Sequence, residues 1–258
     1  MIGLVIVLLV VIAVTADRLL KNPEVLPDSD LKTATSDKLP DVANGSEKDQ
    51  GKIQPGVISP GLPAYSGRPL SEVRFGQGFS APQERIDKQR RDLTLLVGVL
   101  TAEPRGAEGV NDWITLGSIK KFFNDYEGAK DVWEYAGILY PGNALSFANL
   151  GYLYGFYLGD AVKAEDNFRR AIGNDPYQPS YYIGLADLYR QAYASKKSEA
   201  AKVLLEGMSM IGDANLALNL ATFYRDEGDK ANAVKYYEEV LKLSPDQAGI
   251  REEIERLK

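Results

Sequence analysis

The chain has 258 residues, a formal net charge of −6 and a pI near 5.0, with neither cysteine nor histidine. That composition excludes a disulfide framework, a thiolate nucleophile, a Cys/His zinc site and a Ser-His-Asp triad. Mild acidity points away from nucleic acid, whose binding surfaces are basic, and the missing cysteine is compatible with reducing and oxidising compartments alike.

Residues 2–16 form an apolar run with no charge before Asp17. As a helix they span ~22 Å, short of the ~20 residues that a bilayer core asks for. Three readings compete. Cleavage as a signal peptide after Ala16 has a passable small-residue site in Val14 and Ala16, but no basic residue precedes the apolar core. Burial in a core is disfavoured, because a polar Pro-rich stretch follows. An uncleaved signal anchor over residues 1–20 is the expectation, with attachment to the membrane through this helix. Arg18, Lys21 and Lys32 follow the run and no Lys or Arg precedes it. The positive-inside rule then leans towards a cytoplasmic C-terminal domain, although short N-termini often stay inside while long domains are exported.

Residues 21–80 hold seven of the thirteen prolines and show neither helical nor strand periodicity. Such composition buries too little apolar surface to offset the entropy of ordering, and it reads as a disordered, flexible linker. Tyr65, Phe75 and Phe79 are its only aromatics, and a docking motif there is the sharper alternative. Over residues 81–109, Ser80 and Pro82 mark a helix start. Ile86, Leu93, Leu96, Val97 and Leu100 then recur at helical spacing until Pro104 and Gly106.

From residue 110 the sequence repeats itself in units 110–143, 144–178, 179–213 and 214–247. A period near 34 marks a solenoid of helical hairpins. Trp113, Leu116, Gly117, Ala129, Trp133, Ala136 and Pro141 in the first unit recur as Phe147, Leu150, Gly151, Ala164, Phe168, Ala171 and Pro176 in the second. The third has Tyr182, Leu185, Ala186, Ala200, Leu204 and Gly207, and the fourth Leu220, Ala221, Ala233, Tyr237 and Pro245. Small residues let the two helices of a hairpin approach, aromatics fill the space between hairpins, and prolines end the second helix. The third unit departs from the pattern, with Gly212 at its end and an insertion around residues 194–198. Residues 248–258, with Ile250, Ile254 and Leu257, read as a terminal capping helix.

Position by position these units resemble the tetratricopeptide repeat family. The resemblance implies an all-α fold: a right-handed α-solenoid of about four hairpins with a C-terminal capping helix, here preceded by the linker and the transmembrane helix. It also implies a non-enzymatic scaffold with no cofactor, which binds a protein or peptide partner in a concave groove lined by the first helix of each unit. In register, the groove positions are Ile114, Ser118, Lys121 and Phe122; Leu145, Ala148, Tyr152 and Phe156; Ile183, Asp187, Arg190 and Gln191; and Leu218, Thr222, Arg225 and Asp226. Tyr152 and Phe156 are the expected aromatic anchors. Lys121, Arg190 and Arg225 share one position in three units and would form a basic ladder for an acidic segment; as plain solvated charges they would mean little. The Lys/Asn/Arg carboxylate clamp of some relatives is missing, since Ile114 and Ser118 stand at its first two positions. By analogy with membrane-anchored repeat proteins, the expected setting is assembly of a bacterial envelope, pilus or secretion complex. A homo-oligomeric structural component is the alternative. A carboxylate-based enzyme would have to use pairs such as Glu238-Glu239 or Glu252-Glu253, which a solvated helix face explains better.

Overall fold

A computed structural model describes residues 64–102 and 109–258. The apolar run and most of the linker lie outside the described residues. Within the described residues the regular structure is entirely helical, and no helix is long and apolar enough to cross a membrane. The helices are α1 (Gln83–Ala102), α2 (Gly109–Phe122), α3 (Tyr126–Leu139), α4 (Ala144–Phe156), α5 (Ala161–Asn174), α6 (Pro179–Asp187), α7 (Ala200–Ile211), α8 (Ala214–Asp226), α9 (Lys230–Leu243) and α10 (Ala248–Leu257). The pairs α2/α3, α4/α5, α6/α7 and α8/α9 are antiparallel hairpins stacked in chain order, with α1 before them and α10 after.

Local chemistry sets the boundaries. Asp125, Asn143, Asp160 and Asp229 each accept a hydrogen bond from the backbone N–H three residues on, capping α3, α4, α5 and α9, and Asp213 does so for α8. Helices α3, α5 and α9 stop at or before the residue two ahead of Pro141, Pro176 and Pro245. Helix α7 has no such proline and ends on Gly212 in the left-handed region, φ 69°. The insertion in the third unit is absorbed as a π-helical turn, Leu188–Ala192, followed by a 3₁₀ stretch, Ala194–Glu199.

The core follows the repeat. Ala129, Ala164, Ala200 and Ala233 are completely buried. A Cβ on Gly151 would lie 2.8 Å from the Phe168 ring, so the close approach of α4 to α5 requires that glycine. Helix α1 buries Leu93 and Leu100 against Trp113, Leu116, Phe123 and Leu139. At the other end, α10 buries Ile254 against Ala221, Ala233 and Tyr237 and turns Arg251, Glu252, Glu255 and Arg256 outward.

The last residues of the expected linker pack against the array. Residues 64–80 run as a strap over the first hairpin. Tyr65 packs on Trp113 and Tyr135, Phe75 on Phe123, and Phe79 on Phe122 and Phe123. Gly76 N–H donates to the Phe123 carbonyl at 2.8 Å, and Lys120 Nζ donates to the Glu72 carbonyl at 2.9 Å. The strap has no period because each residue is held singly, by a ring or a hydrogen bond, and not by a regular face. With α1 it closes the N-terminal end of the array, as a solenoid requires.

Candidate functional site

The first helices of successive units touch one another, α4 with α6 and α6 with α8, whereas no contact of that extent joins the second helices. The array therefore curves with α4, α6 and α8 on its inner face. The anticipated groove residues belong to α2, α4, α6 with the π-helical turn after it, and α8, and their environments divide them into two groups.

In the first half, Lys121 near the end of α2 sets its Nζ 4.9 Å from the centre of the Tyr157 ring. It forms no ion pair among the described residues, and burial lowers its pKa. Tyr157 lies 4.6 Å from Tyr126, centre to centre. Tyr152 stands edge-on to Phe168 at 4.9 Å, 6.0 Å from Phe156, and its hydroxyl donates to the Ser180 carbonyl at 3.3 Å. Burial, and secondarily the Asp187 carboxylate, push its pKa up to about 12. Tyr152 and Phe156 are both part-exposed, so this half offers aromatic surface next to an ammonium that no carboxylate among the described residues pairs.

The second half is a network of ion pairs. Arg190 bridges Asp187 at 3.5 Å and Asp226 at 3.1 Å. Arg225 meets Asp226 at 2.8 Å and Glu253 of α10 at 3.5 Å, and donates to the Tyr237 hydroxyl at 3.3 Å. Asp187 has its pKa raised by burial, with Arg190 opposing. Thr222 donates back to the Asn219 carbonyl at 3.0 Å.

Three expectations change. Lys121, Arg190 and Arg225 are not a ladder of available cations, because carboxylates already hold the two arginines; Asp226 serves both, its neighbour Arg225 and Arg190 of the preceding unit. Phe122, expected to line the groove, is partly covered: Phe79 of the strap stands edge-on to it and the Arg85 guanidinium lies over its ring at 5.4 Å. Ile114 and Ala148 are buried, not groove-lining; Ile114 even supplies the carbonyl that accepts the Trp133 indole N–H at 3.1 Å. Sequence reasoning missed Tyr157 and Tyr126, which sit just past α4 and at the start of α3. The carboxylate pairs are surface ion-pair partners: Glu239 binds Lys242 at 2.7 Å, and Glu253 binds Arg256 at 3.2 Å as well as Arg225.

The phenols make this fold sensitive to alkali. Tyr152 and Tyr189 are both raised to about 12 by burial, Tyr189 also by its bond to Glu165. A group whose pKa is higher folded than unfolded stabilises the fold fully below the unfolded value, near 10, and progressively less as the pH rises through the folded value. Helicity should hold to about pH 10 and fall between there and pH 12, together with the rise in phenolate absorbance. Phenolate absorbance that reaches its full value near pH 10 with helicity unchanged would contradict this.

Residues 214–247, the fourth unit, match the tetratricopeptide repeat family model. Among solved structures, the chain is similar to MamA at 20% identity, over 64% of this chain and 95% of that one, with a TM-score of 0.51. It is also similar to a tetratricopeptide repeat protein from Parabacteroides merdae at 16% identity, over 68% of each chain, again with a TM-score of 0.51. No curated protein matches the chain. At these identities the likeness is one of fold: an all-α solenoid of the tetratricopeptide type.

Proposed function

We propose that this chain is a membrane-anchored, non-enzymatic scaffold that holds a segment of a partner protein in the first half of its inner groove. The observation that carries the reading is the cluster of Lys121, Tyr152, Phe156 and Tyr157: part-exposed aromatic surface beside an ammonium that pairs with no carboxylate among the described residues. Exposed aromatics contribute most at interfaces, and an ammonium already stripped of part of its water gains from an incoming carboxylate. The segment it suits carries an apolar side chain and an acidic group. Repeat scaffolds of this fold bind protein segments in general, and the apolar run at residues 2–16 supplies the membrane attachment. Arg18, Lys21 and Lys32 behind that run favour a cytoplasmic repeat domain, and assembly of an envelope complex is the setting proposed.

A photoreactive residue at Tyr152 should cross-link a partner in membranes, and Lys121→Glu should cut recovery of that adduct about tenfold, the effect of ~1.4 kcal/mol at an interface. Adducts that are insensitive to Lys121→Glu would refute the groove assignment. Protease added to spheroplasts should leave the repeat domain intact; digestion from outside would place it on the other side of the membrane.

A further inference from the structure

Helix α1 is the first helix of the stack and packs on α2, so its far face ends the array. A solenoid closes its ends with polar faces, and α10 does so with Arg251, Glu252, Glu255 and Arg256. The second half of α1 does not. Residues 93–102 carry no charge. Thr94, Leu95, Gly98, Val99, Thr101 and Ala102 are exposed there, Leu95 at 70% and Val99 at 51%. The two threonine hydroxyls donate to carbonyls of their own helix, Thr94 to Arg90 at 2.9 Å and Thr101 to Val97 at 2.7 Å. The face is thus apolar in effect, and nothing among the described residues covers it.

Basic groups stand directly before it. Arg91 and Lys88 lie four and seven residues ahead of Leu95, on the same side of the helix. Arg91 forms no ion pair among the described residues. Lys88 pairs with Asp92 at 2.8 Å and remains 65% exposed. Glu84 is one turn further back. The surrounding balance is basic: residues 64–102 hold six Lys and Arg against four Asp and Glu, whereas residues 109–258 hold 17 against 22. The rest of the chain also joins at this end. Residues 1–63 lead into the strap, where Tyr65 packs on Trp113, in the cluster that receives Leu93 and Leu100 of α1.

We propose that the far face of α1 rests on an anionic lipid bilayer, with Leu95 and Val99 at the boundary of headgroups and acyl chains and with Lys88 and Arg91 on lipid phosphates. The proposal rests on the membrane attachment read from residues 2–16, which ties this end of the array to the bilayer. An apolar face flanked by basic side chains holds a helix in the interface without crossing it, and the charged first half of α1 stays in water. The same surface attracts the basic end and repels the acidic repeats. The contact therefore points the repeats, with their groove, away from the membrane.

The chain has no cysteine, so Leu95→Cys gives a single site for an environment-sensitive fluorophore. The full-length chain is reconstituted in vesicles of equal parts phosphatidylcholine and phosphatidylglycerol. The label at Leu95 should shift to the blue and be quenched by lipid-borne quenchers, whereas one on Tyr177→Cys stays in water. Lys88→Glu/Arg91→Glu should lower the bound-to-free ratio roughly tenfold; both positions are exposed, so melting should be unchanged. A Leu95 label in water while a label on Val7→Cys is in lipid would overturn the contact and leave the attachment standing. Labels at both positions in water would overturn the two together. Equal quenching in phosphatidylcholine alone would overturn the anionic surface as the occupant. A Leu95 label shielded from lipid-borne quenchers and released on dilution would overturn the proposal in favour of a second copy of the chain.

Discussion

Replacing Gly151 by Trp should unfold the array around its second unit or lower its melting temperature drastically. Gly151 stands on α4 where the ring of Phe168, completely buried on α5, comes within 2.8–2.9 Å of the space a Cβ would take. Phe168 cannot swing aside: Tyr152 stands edge-on to it at 4.9 Å, and Gly184 of the next unit lies against its far edge. Even one methyl group forces the hairpin open, and an indole must separate α4 from α5 altogether. Overpacking usually costs ~1–3 kcal/mol and more when neighbours cannot yield. Here ~4 kcal/mol or more is expected, which is exceptional for a point substitution. In a solenoid each unit is stabilised chiefly by its neighbours, so damage in the second unit uncouples the first from the third. The helical signal should therefore melt in two steps. A single, unshifted transition would mean that α4 and α5 do not approach as described.

The sequence carried the hairpins because their signals are short-range and redundant. Trp113, Phe147 and Tyr182 recur at one position, Ala129, Ala164, Ala200 and Ala233 at another, the second and fourth units begin on the caps Asn143 and Asp213, and every unit ends on a proline or glycine. The strap was not legible by that route. Tyr65, Phe75 and Phe79 are separated by Pro and Gly in no period, and each finds its ring partner 40 to 70 residues away only once α2 and α3 are formed. What signal there was lay in the clustering of all three of the linker's aromatics in its last sixteen residues. The groove was half legible. Register named the residues on the inner face, but side-chain pairing across units decides which of them are available. Arg190 and Asp226 are 36 residues apart, close to one repeat, so a search for opposite charges one period apart would have found their pairing in advance. Tyr126 and Tyr157 escaped because they lie at the turn-side ends of the helices, where a position-by-position reading stops. The π-helical turn at Leu188–Ala192 shows the same limit: the insertion was visible, but its winding into α6 depended on Leu188 and Tyr189 keeping their buried places.

Asp125→Ala should be the most damaging single substitution at the N-terminal end, and its cost should depend on Lys120. Asp125 is 5% exposed and serves three groups at once. It caps α3 by accepting from Gly128 N–H at 3.0 Å, it accepts from Arg68 of the strap at 3.0 Å, and it lies 4.0 Å from the ammonium of Lys120. Lys120 is 1% exposed, and its only hydrogen bond among the described residues is to the Glu72 carbonyl. Burial lowers its pKa, while Asp125 is the foremost group acting to raise it. Removing Asp125 deletes a helix cap, ~1 kcal/mol, and strands a buried charge, which typically costs ~3–5 kcal/mol. The double replacement Lys120→Met/Asp125→Ala should recover most of the second part, because a buried pair exchanged for apolar groups is close to neutral. The sign with pH follows from the same geometry. In Asp125→Ala the folded pKa of Lys120 drops further below the unfolded value, so the unfolded chain binds the proton more tightly and stability rises with pH between the two values. The deficit of the single variant should shrink as the pH is raised from 7 towards 10, while that of the double variant stays level. Urea midpoints on the four proteins of this cycle measure both effects. Additive losses, or a deficit that does not change with pH, would show that Asp125 acts only as a cap and that the strap is held by its aromatic rings alone.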